Sequence, residues 1–256
     1  MATENIQKIK ERFQTADFEL LKTLLIEYRA DERSGVRKLF LQAEKRIAER
    51  QAEDERLILM SRFEREYAHH GLICGVDEVG RGPLAGPVVD GAVILPENCH
   101  ILYLNDSKKL SEKRREELYD IIIREAIAYG IGYCPPERID EINILNATYE
   151  AMREAIGALN KKPQVLLNDA VTIPGIDILQ VPIIKGDSKS ISIAAASIIA
   201  KVERDRLMTK YDQVFPGYGF ASHKGYGALS HFEAIKKLGP VSIHRRSFLA
   251  SHTLDR

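Results

Sequence analysis

The first 68 residues carry apolar side chains at three- and four-residue steps, the spacing of one face of an α-helix. The pattern is clearest over residues 18–28 and 36–47, where no proline interrupts it, and Gly35 among polar neighbours predicts a break between two helices. Charges of alternating sign over residues 44–56 are typical of a solvated helix face. The pattern therefore predicts a helical N-terminal region.

The pattern changes near residue 71, where short apolar runs rich in β-branched residues and bounded by glycine or proline take over. These runs predict strands over residues 72–77, 87–95, 128–134, 164–169 and 178–187. Helical spacing returns between and after them, over residues 111–128, 141–160, 190–215 and 230–239. Alternation of strands and helices predicts an α/β domain with a mixed sheet.

Composition narrows the class of protein. The chain has 256 residues, 45% of them apolar, which suits one large domain or a domain with an extension. No run of 18 apolar residues predicts a membrane span, and the charged N-terminus does not resemble a secretory signal. Three scattered cysteines without C-x-x-C spacing favour a cytoplasmic protein and argue against disulfides or a zinc site.

Charge is spread unevenly along a chain whose net charge is zero. Residues 71–184 carry 17 acidic against 11 basic side chains, and residues 185–256 carry 6 against 12. An acidic cluster that must meet a phosphate needs cations nearby, and a basic neighbouring segment could supply them.

Acidic residues end three of the predicted strands: Asp77 with Glu78, Asp169, and Asp187. Ligands of open α/β sheets bind beyond the carboxyl ends of the strands, so four carboxylates could meet there. Such carboxylates repel one another unless cations share the space, and hard oxygen ligands favour Mg²⁺ or Mn²⁺. An acid before glycine also simply starts a turn, and spacing alone leaves both interpretations open.

Adjacent residues of a regular strand point to opposite faces, which sets a condition on Asp77 and Glu78. We expect them to share a site only if the strand breaks there. Gly80 and Gly82 would supply the break and let the backbone approach a ligand closely.

Six segments together resemble the successive motifs of the bacterial ribonuclease HII family, the type 2 ribonucleases H. The resemblance covers about residues 71–248. Its motifs follow one another in the family order, at residues 75–89, 104–118, 168–175, 183–208, 223–235 and 243–248. It implies a ribonuclease-H-like α/β fold, with a mixed five-stranded sheet flanked by helices. The chain would then consist of a helical N-terminal extension, residues 1–70, and a catalytic domain, residues 71–256, with a C-terminal helical portion.

The family's four catalytic, metal-binding carboxylates fall on Asp77, Glu78, Asp169 and Asp187. The resemblance implies Mn²⁺ or Mg²⁺ as cofactor. It also implies an endonuclease that cleaves the RNA strand of RNA–DNA hybrids and cuts 5′ of single ribonucleotides in duplex DNA. The products would carry 3′-OH and 5′-phosphate ends, the role would be ribonucleotide excision repair in the cytoplasm, and the protein would be a monomer that binds no membrane.

Substrate contacts carry over in the same way. The family's 2′-OH-reading segment falls on Gly80, Arg81 and Gly82, and its junction-sensing tyrosine falls on Tyr226. Lys108 matches a position near the scissile phosphate.

Some residues depart from the family pattern or fall outside it. Asp90 and Gly91 stand where small apolar residues are usual, and Asn168 stands where an apolar residue is common. Alanines and a serine over residues 194–197 predict tight helix-to-sheet packing and not a site. Three histidines are interpreted as surface or substrate-contact residues: His223, His231 and His244. Five basic residues are candidate phosphate contacts: Lys185, Lys189, Lys224, Arg245 and Arg246.

Three rival interpretations are tested by particular residues. Ribonuclease HIII usually has a glutamate as its fourth acid and a mixed α/β N-terminal domain, whereas this chain has Asp187 and a helical N-terminus. A silent hybrid-binding protein should lack one of the four acids, and this chain has all four. A phosphate-binding NTPase loop would need G-K-[ST], which the segment from Gly80 to Gly86 lacks.

Overall fold

A computed structural model describes residues 4–253, with side chains to residue 250. The chain divides into two compact units between Ile58 and Leu59. Helices of the first unit are α1 (Ile6–Thr15), α2 (Phe18–Glu27) and α3 (Ser34–Met60), the last of which ends two residues inside the second unit. The predicted helical N-terminal region is confirmed, and its buried core includes Ile9, Phe13, Leu21, Leu24, Val36 and Ala43.

The second unit alternates strands and helices, as predicted. Its strands are β1 (Ile73–Val79), β2 (Val88–Ile94), β3 (Ala128–Cys134), β4 (Val165–Asp169) and β5 (Leu179–Ile183). Its helices are α4 (Arg62–Tyr67), α5 (Glu112–Glu125), α6 (Pro136–Gly157), α7 (Ile191–Val214), α8 (Phe220–His223), α9 (Leu229–Leu238) and α10 (Arg246–Thr253). Within residues 4–253, every helix is too short or too polar to span a bilayer.

The five strands form one mixed sheet in the order β3-β2-β1-β4-β5. β1, β2 and β3 are antiparallel neighbours, whereas β4 and β5 run parallel to β1. Helix α6 packs on one face of the sheet, and α7 packs on the other. The predicted mixed five-stranded α/β sheet is therefore confirmed, and the carboxyl ends of β1, β4 and β5 lie along the same edge.

Glycines let both helices lie unusually close to the sheet. A side-chain carbon added at Gly91 would lie 2.5 Å from the carbonyl oxygen of Ala196 in α7. One added at Gly132 would lie 2.0 Å from the carbonyl oxygen of Ala151 in α6. Both distances are well inside van der Waals contact. The small residues Ala194–Ala196 of α7 are fully buried in the same interface, which confirms tight packing there.

The strand break expected at the glycines occurs at Gly80, but it does not bring Asp77 and Glu78 to one face. β1 continues to Val79, and its ladder with β2 pairs Asp77 with Gly91 and Glu78 with Asp90. Directly paired residues share a face, so Asp77 lies on the α7 face and Glu78 on the α6 face. The chain turns only at Gly80, whose φ of +91° is a conformation that favours glycine.

Asp187 also lies differently from the prediction. The last strand ends at Ile183, four residues earlier, and Asp187 sits in a short 3₁₀ turn, Gly186–Ser188, that precedes α7. Helix α10 and a kink in α6 at Asn143, where φ is +69°, were not predicted. Ser111 caps the N-terminus of α5, because its hydroxyl accepts a hydrogen bond from the Arg114 amide at 3.2 Å.

Candidate metal centre

Asp77 is the most buried of the four predicted carboxylates, at 6% exposure. Burial, followed by the negative charges of Glu78, Asp169 and Asp187, raises its pKa well above the ordinary value. A hydrogen bond from Ser197 of α7 opposes that rise, and the Ser197 hydroxyl lies 2.9 Å from that of Ser107. Asp77 is thus a buried acid held by a hydroxyl and surrounded by like charge.

Glu78 points to the other face and has a cation beside it. Arg81 Nη1 lies 3.3 Å from Glu78 Oε1. Burial raises the pKa of Glu78, and the Arg81 charge and hydrogen bond lower it in part. The negative charge of Asp169 acts on Glu78 as well, so the two carboxylates interact although they belong to neighbouring strands.

Asp169 at the end of β4 acts on Asp187, which lies in the 3₁₀ turn after β5. Asp169 ends β4, and its Oδ1 accepts a hydrogen bond from the Gly186 amide at 2.7 Å. Burial raises the pKa of Asp187, as do the charges of Asp106 and Asp169, whereas Lys108 lowers it. The predicted phosphate contact Lys108 therefore lies near enough to Asp187 to act on its charge.

The charges of the four carboxylates thus act on one another at one edge of the sheet. Among residues 4–253, no set of three or more His, Cys, Asp or Glu side chains is arranged to hold a metal ion as it stands. Glu78 pairs with Arg81, and Asp169 accepts a hydrogen bond from the Gly186 amide. The donor set of hard carboxylate oxygens, with one acid buried among like charges, fits Mg²⁺ or Mn²⁺.

The glycine-containing turn after β1 is held from inside by a buried arginine. Arg245, 0% exposed, donates hydrogen bonds to the carbonyl oxygens of Gly80 at 2.5 Å, Arg81 at 2.8 Å and Gly86 at 2.8 Å. In a trans peptide the N–H points opposite to the C=O. Because the carbonyls of Gly80 and Arg81 face Arg245, the amides of Arg81 and Gly82 point the other way.

Tyr226 lies beside this turn. A carbon added at Gly82 would lie 4.0 Å from the Tyr226 ring, and the side chain is 40% exposed. A second buried arginine, Arg204, lies under the ring at 5.9 Å. It donates to the carbonyl oxygens of Ala85 at 3.1 Å and Lys224 at 2.9 Å, so it ties the two segments together.

Comparison with known proteins identifies the family. The family model "Ribonuclease HII" matches residues 74–251, and "Ribonuclease HII N-terminal domain" matches residues 5–68. The chain belongs to the ribonuclease HII family. It is 62% identical over 226 residues to Ribonuclease HII of Lachnoclostridium phytofermentans, covering 88% of this chain and 89% of that protein. It is 53% identical over 251 residues to Ribonuclease HII of Clostridioides difficile, covering 97% and 98%.

Solved structures agree on the fold. The ribonuclease H2 of Pyrococcus horikoshii has a TM-score of 0.59 and 29% identity, covering 72% of this chain and 97% of that one. The predicted ribonuclease-H-like fold is therefore confirmed, and this ribonuclease HII chain is a ribonuclease H. The family assignment separates it from the rival ribonuclease HIII interpretation.

Sequence reasoning missed several polar groups of the candidate metal centre. Ser197 closes the run interpreted as packing alone, yet its hydroxyl supports Asp77. Asp106 faces Asp187 from the turn before α5 and was not singled out. A serine after three alanines, and an acid before the lysines, are the signals that could have found them.

Two interpretations of basic residues are wrong. His231 and His244 are 0% and 3% exposed, so they are neither surface nor substrate-contact residues. Arg245 is fully buried among backbone carbonyls, so it does not face a phosphate. Charge and polarity were taken as signs of exposure, but these side chains satisfy backbone groups inside the fold.

Asp90 is the departure from the family pattern with the largest structural consequence. It is 0% exposed on the α6 face beside Glu78, and both of its carboxylate oxygens lack a hydrogen-bond partner. Burial raises its pKa well above the ordinary value, and Glu78 and Asp77 add to the rise. Asn168, the other departure, bonds through its amide nitrogen to Gln180 at 2.9 Å, but its oxygen is also unpartnered.

We expect Asp90→Ala to raise the free energy of unfolding of the metal-free protein by about 1–3 kcal/mol, since it removes a buried carboxyl group without partners. The gain should increase from pH 4 to pH 8, because a raised native pKa means that wild-type stability falls as pH rises through it. Urea denaturation measures it. Val88→Ala, two residues earlier on the same face, is the matched control and should destabilise. An equal loss for both variants would contradict the prediction.

Proposed function

We propose that this ribonuclease H is an endonuclease that cleaves the RNA strand of RNA–DNA hybrids and cuts 5′ of single ribonucleotides embedded in duplex DNA. The products would carry 3′-OH and 5′-phosphate ends. One observation carries the proposal. In this chain, four carboxylates lie at the sheet edge next to the turn after β1, where the amides of Arg81 and Gly82 point away from Arg245. Chemistry and ribose recognition would then occur side by side.

Asp77, Glu78, Asp169 and Asp187 would hold Mg²⁺ or Mn²⁺ and would be the catalytic carboxylates. A bound divalent ion would lower the pKa of a water molecule and stabilise charge on the phosphate oxygens. The chain's own part is to fix the ligands. Ser197 orients Asp77, and Arg81, which pairs with Glu78, would be available to contact the substrate phosphate when Glu78 holds the cation.

Ribose recognition would use backbone groups. The amides of Arg81 and Gly82 point away from Arg245, where a 2′-OH could accept a hydrogen bond. An amide does not distinguish bases, so cleavage should be independent of sequence. Lys108, near Asp187, would contact the scissile phosphate.

The cellular setting is part of the proposal. Residues 1–70 would form the helical extension and residues 71–256 the catalytic domain of a monomer. The three cysteines are free, which favours the cytoplasm, and the substrate implies ribonucleotide excision repair.

The deciding experiment uses a labelled DNA duplex with one internal ribonucleotide, together with Mg²⁺ or Mn²⁺, and maps the cut and its ends. We expect one nick 5′ of the ribonucleotide with 3′-OH and 5′-phosphate termini. An all-DNA duplex and the Asp77→Asn variant control for other nucleases. Tight binding of the duplex without a nick would instead support a silent hybrid-binding protein.

We expect Tyr226→Ala to reduce cleavage at a single embedded ribonucleotide about tenfold more than cleavage of a long hybrid. The ring lies next to Gly82, where it would stack on the sugar of the deoxynucleotide that follows the ribonucleotide. A long hybrid offers many sites without that junction. Relative kcat/KM on the two substrates is the measurement, Tyr226→Phe tests the hydroxyl, and an equal loss on both substrates would contradict a junction role.

A further inference from the structure

Three histidines gather behind Tyr226, outside the carboxylate cluster. His223 ends α8, His231 lies in α9 and His244 lies in the loop before α10. The rings of His223 and His231 stack with centroids 4.3 Å apart, and Nε2 of His231 lies 3.1 Å from Nε2 of His244. None of the three belongs to the proposed metal site.

The contacts of His231 fix its proton. Its Nδ1 lies 2.8 Å from the carbonyl oxygen of Tyr226, and a carbonyl can only accept, so Nδ1 carries hydrogen. Burial lowers the pKa of His231 to about 4, so the ring is neutral at physiological pH. The other nitrogen, Nε2, is therefore bare and must accept a hydrogen bond.

The same logic fixes His244. Its Nε2 must donate to His231, which leaves Nδ1 bare in a neutral ring, and burial lowers the pKa of His244 too. The Val241 amide supplies the donor that a bare Nδ1 requires, at 2.9 Å, whereas the Val241 carbonyl is farther away at 3.3 Å. Hydrogen bonds thus run in one direction from the Val241 amide through both rings to the Tyr226 carbonyl.

His223 holds the preceding residue by a parallel arrangement. Its Nε2 lies 2.7 Å from the carbonyl oxygen of Tyr218 and carries hydrogen, so its Nδ1 accepts from the Gly225 amide at 3.1 Å. Two imidazoles therefore fix the backbone on both sides of the peptide that joins Gly225 to Tyr226. The Tyr226 ring is thereby held next to Gly82.

We propose that His231 is a positioning residue for Tyr226, and that it acts by donating its Nδ1 hydrogen to the Tyr226 carbonyl while His244 fixes its tautomer. The proposal rests on the junction-sensing role of Tyr226 proposed above. It gives this buried pair a part in substrate selection without any contact to substrate. Because the hydrogen bonds of the pair go to each other and to the backbone of Tyr226 and Val241, cleavage of long hybrids should change little.

Two substitutions separate the two nitrogens of His231. Asn places its amide where Nδ1 lies, so His231→Asn can still donate to the Tyr226 carbonyl. Gln reaches to the position of Nε2, so His231→Gln can still meet His244 but loses Tyr226. We expect the preference for a single embedded ribonucleotide over a long hybrid to be kept in the Asn variant and to fall by a factor of about three to ten in the Gln variant, as for one lost hydrogen bond.

Each variant is compared on both substrates, and thermal unfolding shows whether it is folded. If either His231 variant does not fold, His244→Gln (which retains the donor to His231) and His244→Asn (which does not) make the equivalent pair. Equal preferences in the two variants of the folded pair would overturn the proposal. If wild type and Tyr226→Ala themselves show the same preference, the junction role fails instead.

A measurement without substrate tests the tautomers directly. Long-range ¹H–¹⁵N correlation spectra at pH 7.5 should show hydrogen on Nδ1 of His231 and on Nε2 of His244. Finding the hydrogen on Nε2 of His231 would overturn the direction of the hydrogen bonds, and with it the proposal.

Discussion

Asp77→Asn is expected to abolish cleavage while making the metal-free protein more stable. Activity should fall at least about 10³-fold, equivalent to about 4 kcal/mol in the barrier, if Asp77 binds the catalytic ion. Stability should rise by about 1–3 kcal/mol, because the amide removes a buried acid on which Glu78, Asp169 and Asp187 act with like charge. Loss of activity together with a gain in stability would show that Asp77 destabilises the metal-free fold and is needed for binding a cation.

The stability effect has a defined pH dependence. Both states of wild type hold the Asp77 proton below the unfolded pKa near 4, where the carboxyl group costs little. Because the folded pKa is raised, wild type loses stability as pH rises towards that value, and the variant does not share this loss. The difference between variant and wild type should therefore be larger at pH 8 than at pH 4.

Asp205→Asn is the matched control for Asp77→Asn. Asp205 is 7% exposed, much like Asp77, but it has cations beside it: Lys201 Nζ at 2.7 Å and Arg115 Nη2 at 3.6 Å. Its replacement leaves the charges of Lys201 and Arg115 without a carboxylate beside them and should destabilise the protein. Urea denaturation in EDTA, repeated with Mn²⁺, measures both variants. The prediction would be contradicted if metal-free Asp77→Asn were less stable than metal-free wild type. It would also be contradicted if Mn²⁺ stabilised the variant as much as it stabilises wild type.

Periodicity predicted most of the fold because apolar side chains decide which face of each element is buried. The strands from Ile73 to Cys134 and the long helix α7 came out within a few residues of their observed bounds. Residues that follow no period were harder. The kink at Asn143 and helix α10, capped by Asp140 through the Ser247 amide at 3.0 Å, depend on contacts that no local pattern carries.

The site was predictable in type but not in geometry. Acids at strand ends indicated a metal or a turn, and only the resemblance selected the four carboxylates. The expectation that Asp77 and Glu78 need a strand break to share a site failed. The site lies at an edge of the sheet, where acids from opposite faces interact around the last residues of β1. Ser197 was missed because a hydroxyl on a small-residue face looks like packing.

Buried cations were the hardest feature to predict, since arginine is usually exposed. Arg204 and Arg245 are both fully buried and bond to backbone carbonyls. Burial, followed by the charge of Arg204, lowers the pKa of Arg245 to about 9, which leaves it charged at neutral pH. The fold therefore keeps two positive charges directly beneath the segments proposed to bind a polyanion, and uses them to fix the backbone that faces the ribose.

Arg245→Met is expected to destabilise the protein by at least about 3 kcal/mol, because the carbonyl oxygens of Gly80, Arg81 and Gly86 lose their buried donor together. Release of the Gly80 and Arg81 carbonyls also frees the amides of Arg81 and Gly82 from their outward orientation. Discrimination between a ribonucleotide and a deoxynucleotide should weaken as a result. Urea denaturation measures the stability, and binding of duplexes with and without the ribonucleotide measures the discrimination.

Arg245→Lys separates charge from geometry in that experiment. Lysine keeps a buried positive charge but lacks the planar fork that holds carbonyls on two sides. If the fork orients the turn, the Lys variant should recover part of the stability and little of the ribose discrimination. If the charge alone matters, it should recover both. Full discrimination in Arg245→Met, in protein shown to be folded at the assay temperature, would mean that the turn orients its amides without Arg245.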